Sequence, residues 1–201
     1  MQTPLIREPD GQRVGGGDRS MQNVEFKAEL RDIEAARQQC TALGAQCIGT
    51  MRQVDTYYRL ADGRLKRRQT DGGKAQWIYY HRGDRINPRL STYTILNDQQ
   101  ARRRWGKRSL KTWLTVTKSR ELWQLDVVRI HLDVVEQLGC FIEFEAVIDD
   151  AHDVEACGLL VVNLREAFQP VIGEPVAVSY SDLMAQPAAE STSGPAPHAE
   201  H

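Results

Sequence analysis

Strict alternation of polar and apolar residues is the feature that most constrains the fold of this chain. In the segment 23–30, NVEFKAEL, every second residue is apolar and the residues between them are polar or charged. The smallest of the apolar residues is Ala28. Successive side chains of a β-strand point to opposite faces, so the segment predicts a strand with one apolar and one polar face. The polar face is either a solvent-exposed surface or the wall of a charged site.

Five further segments show the same alternation, in 63–69, 77–82, 114–120, 127–133 and 140–147. Surface strands commonly carry uncharged polar residues, whereas these faces are dense in charge, with bases on the middle strands and acids on the first and last. Like charges on neighbouring strands repel, and a bound polyanion would remove that penalty. We therefore favour a polar interior. The charges that share faces are Glu25 and Lys27; Arg64, Lys66 and Arg68; Arg82; Lys118 and Arg120; Arg129, His131 and Asp133; and Glu143 and Glu145.

Turn signals divide the chain into about eight strands and a few helices. The predicted fold class is α+β, an eight-stranded antiparallel β-barrel with flanking helices that cover its apolar outer faces together with a partner chain. The domain is predicted to span residues 22–184, with disordered tails at 1–21 and 185–201. The predicted strands are 23–30, 46–60, 64–69, 75–82, 89–96, 111–120, 123–133 and 140–148, and the helices begin at Asp32, at Asn97 or Asp98, and at Asp149 or Asp150.

Composition excludes several classes of protein. The chain has 201 residues, of which 41% are hydrophobic, which suits one domain with a real core. Its net charge of -1 argues against a nucleic-acid-binding domain, although the basic segment 101–111 leaves RNA binding open beside a solvated helix face. The sequence has neither a membrane span nor an apolar signal region, and its four cysteines lack metal-ligand spacing. We expect a cytoplasmic protein with buried, reduced cysteines.

The sorted charges fit the chemistry of a bound triphosphate. Guanidinium and ammonium groups bind phosphates, and carboxylates bind a hard divalent cation that in turn binds phosphate oxygens.

The same segments resemble the CYTH superfamily of triphosphate tunnel enzymes, which includes class IV adenylyl cyclases and thiamine triphosphatases. The family signature E-x-E-x-K corresponds here to Asn23-x-Glu25-x-Lys27, and QVDTYY, GRLKRR, IYYHRGD, STY, VTKSRELW, VRIHLDVVEQLGCFIEFE and SYSDLM follow in the family's order. The resemblance covers about residues 22–184. It implies a barrel whose tunnel binds a triphosphate with Mg²⁺ or Mn²⁺.

The resemblance also implies roles for individual residues. Lys27, Arg120 and Asp133 are the catalytic candidates, and Glu25, Glu143 and Glu145 are the metal ligands, with Asp133 as a further candidate. Asn23 replaces the first glutamate of the signature, which removes one negative charge from the site. The loss of this carboxylate weakens the expectation that a second metal ion binds. The residues expected to bind phosphates are Lys27, Arg64, Lys66, Arg68, Arg82, Lys118, Arg120 and Arg129.

Two reactions remain open on sequence grounds. Attack of a ribose 3′-hydroxyl on the α-phosphorus would convert ATP to cyclic AMP and pyrophosphate, and attack of water on the terminal phosphorus would hydrolyse a triphosphate. The first is slightly favoured by the NVEFKA, VRIHLD and SYSDL segments. The general base would be Asp133, His131 or a hydroxide on the metal. A non-catalytic polyphosphate or nucleotide binder is the other alternative, and a homodimer is left open.

Overall fold

The computed structural model describes residues 20–106 and 110–186, and these ranges contain nine strands and four helices. The predicted tails lie mostly outside the described residues. The first strand begins at Met21 and the last helix ends at Ala185, and the predicted domain bounds of 22 and 184 stay predictions. The elements in chain order are β1 (Met21–Leu30), α1 (Ile33–Ala42), β2 (Gln46–Arg59), β3 (Arg64–Thr70), β4 (Gln76–Arg82), β5 (Arg89–Leu96), α2 (Asp98–Trp105), β6 (Thr112–Leu125), β7 (Val128–Val135), β8 (Gly139–Val147), α3 (Val154–Ala167), β9 (Ile172–Pro175) and α4 (Tyr180–Ala185).

The first eight strands form a closed antiparallel barrel, which confirms the predicted fold class. The strand order is β5-β4-β3-β2-β6-β7-β8-β1, and pairing of β1 with β5 closes the ring. Strand β1 therefore has two barrel neighbours: Glu25 lies opposite Arg89 of β5 on one side and opposite Glu145 of β8 on the other. Strand β9, which was not predicted from the sequence, lies outside the ring. It pairs with the C-terminal end of β1, at Ala28 and Leu30.

The main hydrophobic core lies outside the barrel. The apolar faces of β1, β7 and β8 pack beneath α1 and α3, where Phe26, Phe144 and Phe168 are fully buried. The side chains of alternate parity on the same strands project into the barrel, and most of those that line the cavity are charged. This arrangement confirms the polar interior that the alternation predicts.

A second apolar cluster closes one end of the barrel interior. Tyr57, Val135 and Phe141 project inwards there and pack against Val176 and Tyr180 from the C-terminal segment. Helix α4 begins at Tyr180, and its N-cap Ser179 accepts a hydrogen bond from the Asp182 amide. Helix α4 is thereby fixed against the interior.

Most predicted helix starts agree with the structure. Asp32 caps α1 and Asn97 caps α2. Helix α3 starts later than predicted, since Asp153 is its cap while Asp149 accepts hydrogen bonds from two nearby amides in the preceding turn. Of its predicted apolar side, Val154 is exposed, and Val161, Leu164 and Phe168 are buried.

The break between the sixth and seventh strands was also predicted wrongly. Strand β6 continues to Leu125, and the turn lies at Asp126, whose backbone φ is 49°. Aspartate tolerates this left-handed region better than most residues, which makes it a suitable turn position.

The cysteines and helices permit two further statements about the chain. All four cysteines are free, but only Cys40 and Cys157 are buried, whereas Cys47 is exposed and Cys140 is partly exposed. Within residues 20–106 and 110–186, no helix has the length and apolar composition needed to cross a membrane.

Candidate functional site

The barrel interior contains a cavity lined by most of the predicted site residues. It comprises about 1030 Å³ of space free of atoms, part of which is open to solvent. The predicted residues that line it are Glu25, Lys27, Lys66, Arg68, Arg82, Lys118, Arg120, Arg129, Glu143 and Glu145. Their convergence follows from strand periodicity, because residues of equal parity on paired strands share the inner face.

Two predicted residues lie outside the cavity lining, as far as the described residues show. Arg64 is partly exposed. Its Nη2 lies 2.7 Å from Asp84 Oδ2 and 3.6 Å from Asp182 Oδ2. Asp133 is completely buried in the wall behind Lys118 and Arg120.

Two buried aspartates each bind one lysine and one arginine of the cavity wall, and we call each such group of three residues a clamp. In the first clamp, Asp55 of β2 accepts from Lys66 Nζ at 3.0 Å and from Arg68 Nε and Nη2 at 2.8 and 2.9 Å. In the second, Asp133 accepts from Lys118 Nζ at 2.8 Å and from Arg120 Nε and Nη2 at 2.7 and 2.6 Å.

The second clamp has a contact with the C-terminal helix. Tyr180 Oη donates to Asp133 Oδ2 at 2.9 Å, so the second clamp is joined to α4. Burial alone would raise the pKa of both aspartates, but the neighbouring cations more than offset it and hold each pKa well below its usual value. Both carboxylates are therefore ionised at neutral pH and orient their bases.

Glu143 and Glu145 lie on β8, next to the second clamp in the barrel. Glu143 accepts from Arg120 Nη2 at 2.6 Å and lies 3.1 Å from Lys27 Nζ. His131 Nδ1 lies 3.4 Å from Glu143 Oε2 and 3.8 Å from Glu145 Oε1. Burial would raise the pKa of Glu143, but Lys27 and Arg120 hold it well below its usual value.

This group has the chemistry of a divalent metal site. Ligand atoms of His131, Glu143 and Glu145 all lie within 4.8 Å of one another, and within the described ranges they form the one such group of three. Two ligands about 2.1 Å from one ion are roughly 3–3.5 Å apart, and the separation of His131 Nδ1 and Glu143 Oε2, 3.4 Å, lies in that range. The donor set fits a divalent cation, with an imidazole nitrogen in addition to the predicted carboxylates.

Glu25 has other partners. It accepts a hydrogen bond from Arg82, and Arg89 Nε donates to Glu25 Oε1 at 3.0 Å. Burial would raise its pKa, but the two guanidiniums lower it below the usual value. Because Glu25 lies directly across from Glu145, it still adjoins the candidate metal site.

Two lysines titrate far below their usual range in the free protein. Burial lowers the pKa of Lys27 to about 8, although Glu143 partly offsets the effect. Burial and the charge of Arg68 lower that of Lys66 to about 8. A bound polyanion would favour the protonated amines.

Sequence reasoning missed several residues that shape the site. Asp55 lies within QVDTYY and shares its face with Gln53 and Tyr57, so strand parity could have found it. Arg89 begins a strand for which the sequence analysis assigns no inner and outer face. The position of Tyr180 depends on a contact with a residue 47 positions away, which no local pattern reveals.

The closed barrel and its sorted interior define a tunnel-type phosphate-binding fold. The chain matches the CYTH domain over residues 21–167. It therefore belongs to the CYTH family. No curated protein matches the chain at a significant level.

Solved structures share the fold at low sequence identity. PH1012 of Pyrococcus horikoshii superposes with a TM-score of 0.65 and 23% identity, covering 80% of this chain and 98% of that one. A candidate adenylate cyclase from Vibrio parahaemolyticus gives 0.62 and 16%, covering 82% and 98%. HpAC1 of Hippeastrum, a candidate adenylyl cyclase described as having a dominant triphosphatase activity, gives 0.50 and 15%, covering 81% and 93%. At these identities the likeness concerns the fold.

Proposed function

We propose that this protein is a metal-dependent enzyme that acts on a triphosphate inside the barrel. One observation carries the proposal: two clamped pairs of bases and a cluster of carboxylates and imidazole line the same cavity. An arrangement of this kind neutralises a polyphosphate chain and a divalent cation together. CYTH proteins act on triphosphates with divalent metals, which agrees with the geometry.

Individual residues have separate tasks in this proposal. Lys66 and Arg68 from one clamp, and Lys118 and Arg120 from the other, bind phosphate oxygens. Arg82, Arg129 and Lys27 add positive charge along the cavity. His131, Glu143 and Glu145 would hold Mg²⁺ or Mn²⁺, which supplies charge neutralisation and polarises a phosphoryl oxygen.

The candidate for the general base changes with the structure. Asp133 is enclosed by Lys118, Arg120 and Tyr180, which suits a positioning residue better than a proton acceptor. We propose that Asp133 orients the two bases. His131 lines the cavity and is the better-placed proton acceptor where it does not bind the metal.

The two candidate reactions share this machinery. Conversion of ATP to cyclic AMP and pyrophosphate is our first candidate, and hydrolysis of a nucleoside, thiamine or inorganic triphosphate is the second. The name of the Vibrio structure supports the cyclase reaction, and that of the Hippeastrum structure supports the hydrolysis. A cytoplasmic location and a homodimer stay predictions.

Product analysis tests the proposal. Purified protein is incubated with ATP, GTP, thiamine triphosphate or tripolyphosphate and with Mg²⁺ or Mn²⁺. Cyclic AMP with pyrophosphate would establish the cyclase, and orthophosphate with the matching diphosphate, without cyclic AMP, would establish the hydrolase. Absence of turnover on every substrate, with tight binding retained, would leave a non-catalytic binder.

Variants assign the turnover to the cavity. Lys27→Ala and Glu145→Ala should each abolish turnover in folded protein, because each removes a charge that faces the substrate. Arg103→Ala and Glu136→Ala are matched controls at exposed positions. Near-normal rates in both cavity variants would refute the site.

A further inference from the structure

A groove of aromatic and basic side chains lies on the outer surface of the barrel. Tyr58 of β2, Arg67 of β3 and Trp77 of β4 line one side of it. Each is the chain neighbour of a residue that lines the cavity, so these side chains point outwards. Helix α2 forms the other side and contributes Arg102 and Trp105. We call this surface the outer groove.

The aromatic rings of the outer groove pack on one another and remain partly exposed. The rings of Tyr58 and Trp77 are stacked, with centroids 5.2 Å apart and an angle of 24° between their planes. The centroid of Trp105 lies 6.5 Å from that of Trp77 and 5.7 Å from that of Tyr79, which is two residues from Trp77 on the same face of β4. All four side chains are partly exposed. Partly exposed rings offer stacking surfaces to other planar groups.

Basic side chains adjoin these rings. Arg67 lies directly opposite Trp77 on the paired strand. Asp98 orients both, because its Oδ1 accepts a hydrogen bond from Trp77 Nε1 at 2.7 Å and lies 3.8 Å from Arg67 Nε. Arg102 is exposed, and within the described part of the chain it forms no ion pair. Arginines outnumber acids along the groove, so its net charge is positive.

This combination of rings and arginines matches single-stranded nucleic acid. Unpaired bases stack on aromatic side chains, and guanidinium groups bind the phosphates between successive bases. A double helix keeps its bases stacked inside and does not offer them to the rings. A proline-rich peptide also fits aromatic grooves, but it brings no regular negative charge to the arginines.

We propose that the outer groove binds single-stranded nucleic acid. Trp77 and Trp105 stack on bases, and the basic segment 101–111 thereby gains a role that the cavity does not give it. Arg67 and Arg102 bind the backbone phosphates. The net charge of the whole chain does not oppose this, because the positive charge is local to the groove. The inference is independent of the proposed triphosphate chemistry, because groove and cavity lie on opposite faces of β2, β3 and β4.

Fluorescence anisotropy with a labelled oligouridylate of about ten nucleotides tests the proposal on the full chain. The strand ends in a 5′-hydroxyl, so no triphosphate is present to enter the cavity. Wild-type protein should bind it, and the affinity should fall as salt rises, because binding releases counterions from the phosphates. Absence of binding at about 50 mM salt would overturn the proposal and leave the triphosphate enzyme unaffected.

An exposed arginine provides the variant that tests the phosphate contacts. Arg102→Ala should weaken binding and reduce the steepness of log affinity against log salt by about 0.7, the contribution of one phosphate contact on a single strand. Arg31→Ala, at an exposed position outside the groove, is the matched control and should change neither quantity. Identical salt dependence in wild type and Arg102→Ala would contradict the assignment.

The contribution of the rings is tested on the protein and on the ligand. Trp105→Ala should weaken binding about tenfold, and Trp105→Phe, which keeps a ring, less than about threefold. An abasic strand of the same length keeps the phosphates and lacks the bases. Wild-type protein should bind it about tenfold more weakly than oligouridylate, a comparison that does not depend on the folding of a variant. Equal affinities for the two strands would overturn the role of the rings.

Two further titrations locate the strand and identify the kind of ligand. Lys27→Ala, which removes a charge of the cavity, should leave the affinity for oligouridylate unchanged. A loss as large as that in Arg102→Ala would place the strand in the cavity and overturn the groove. A proline-rich peptide is titrated in parallel, and binding of the peptide without binding of oligouridylate would make the groove a peptide site instead.

Discussion

The clamp aspartates and the β8 glutamates are both acidic groups of the barrel interior, yet they differ in what surrounds them. Asp133 and Asp55 are almost completely buried, and each is enclosed by a lysine and an arginine from the neighbouring strand. Glu143 and Glu145 remain partly exposed and line the cavity. The first pair lies in the barrel wall behind its bases, whereas the carboxylates of the second pair border the cavity.

This difference separates residues that shape the site from residues that take part in binding. A buried ion pair contributes little net stability relative to a well-packed apolar pair, but loss of one partner leaves an uncompensated charge. We therefore expect substitutions in the clamps to affect folding and substitutions on β8 to affect ligand binding.

The largest expected effect is on stability. Asp133→Asn should lower the free energy of unfolding by about 3–5 kcal/mol, because it removes the carboxylate that pairs with buried Lys118 and one of the two that pair with buried Arg120. Glu145→Gln should change it by less than about 1 kcal/mol, since that side chain is 22% exposed. Urea unfolding measures both.

An exposed acid provides the control for this pair. Glu136→Gln removes a carboxylate that lies 3.7 Å from Arg52 at the surface and should be nearly neutral. If Glu145→Gln destabilised the protein as much as Asp133→Asn, the distinction between the two kinds of acid would be wrong.

Metal binding tests the β8 side of the comparison. His131→Ala should weaken Mn²⁺ binding at least about tenfold and Mg²⁺ binding less than about threefold, because Mn²⁺ accepts an imidazole ligand more readily than Mg²⁺ does. Calorimetry on nucleotide-free protein measures both affinities. His81→Ala, at an exposed position, is the control. Unchanged Mn²⁺ affinity in His131→Ala would leave the carboxylates as the metal site by themselves.

The sequence permitted prediction of the barrel and of the inward residues, because the side-chain period of a strand is two. Once Lys66 faces inwards, Arg68 must do so as well, and the same holds for Glu143 and Glu145. Parity alone could not distinguish a residue that lines the cavity from one that lies behind others. Asp133 has the parity of His131, but its contacts with Lys118, Arg120 and Tyr180 enclose it.

Boundaries and partners were less predictable for related reasons. The turn at Asp126 depends on a left-handed backbone conformation, and Asp149, Asp150 and Asp153 all qualify as a helix cap in sequence. Arg64 has the inward parity of β3 but is the first residue of that strand, where it donates a hydrogen bond to Asp84. These outcomes depend on loop geometry that the alternation does not encode.

A smaller effect separates the two clamps from each other. Tyr180→Phe should lower the free energy of unfolding by about 1.5 kcal/mol, because it removes a buried hydrogen bond to an ionised carboxylate and leaves the ring in place. Thermal or urea unfolding measures the change. The background Asp133→Asn serves as the control, since Tyr180→Phe should cost less there. An equal cost in both backgrounds would show that the hydroxyl acts independently of the clamp.

The smallest effect concerns pH and the first clamp. The pKa of Lys66 is about 8 in the free protein, below the usual 10.5, so its positive charge is lost as pH rises through 8. Affinity for tripolyphosphate should therefore fall between pH 7 and pH 9, by up to about tenfold for each lysine that must be protonated. Lys27, with a pKa of about 8, contributes a second such loss.

Lys66→Arg sharpens this prediction because arginine keeps its charge throughout that range. At pH 7 the variant should bind tripolyphosphate within about twofold of wild type, and at pH 9 about tenfold more tightly, since only Lys27 still titrates. The ratio of the two proteins cancels the ionisation of the ligand itself. Calorimetry in buffers of different ionisation enthalpy should show less proton uptake by the variant at pH 8. Parallel pH profiles for the two proteins would show that Lys66 stays charged in its clamp, and that Asp55 holds its lysine as firmly as its arginine.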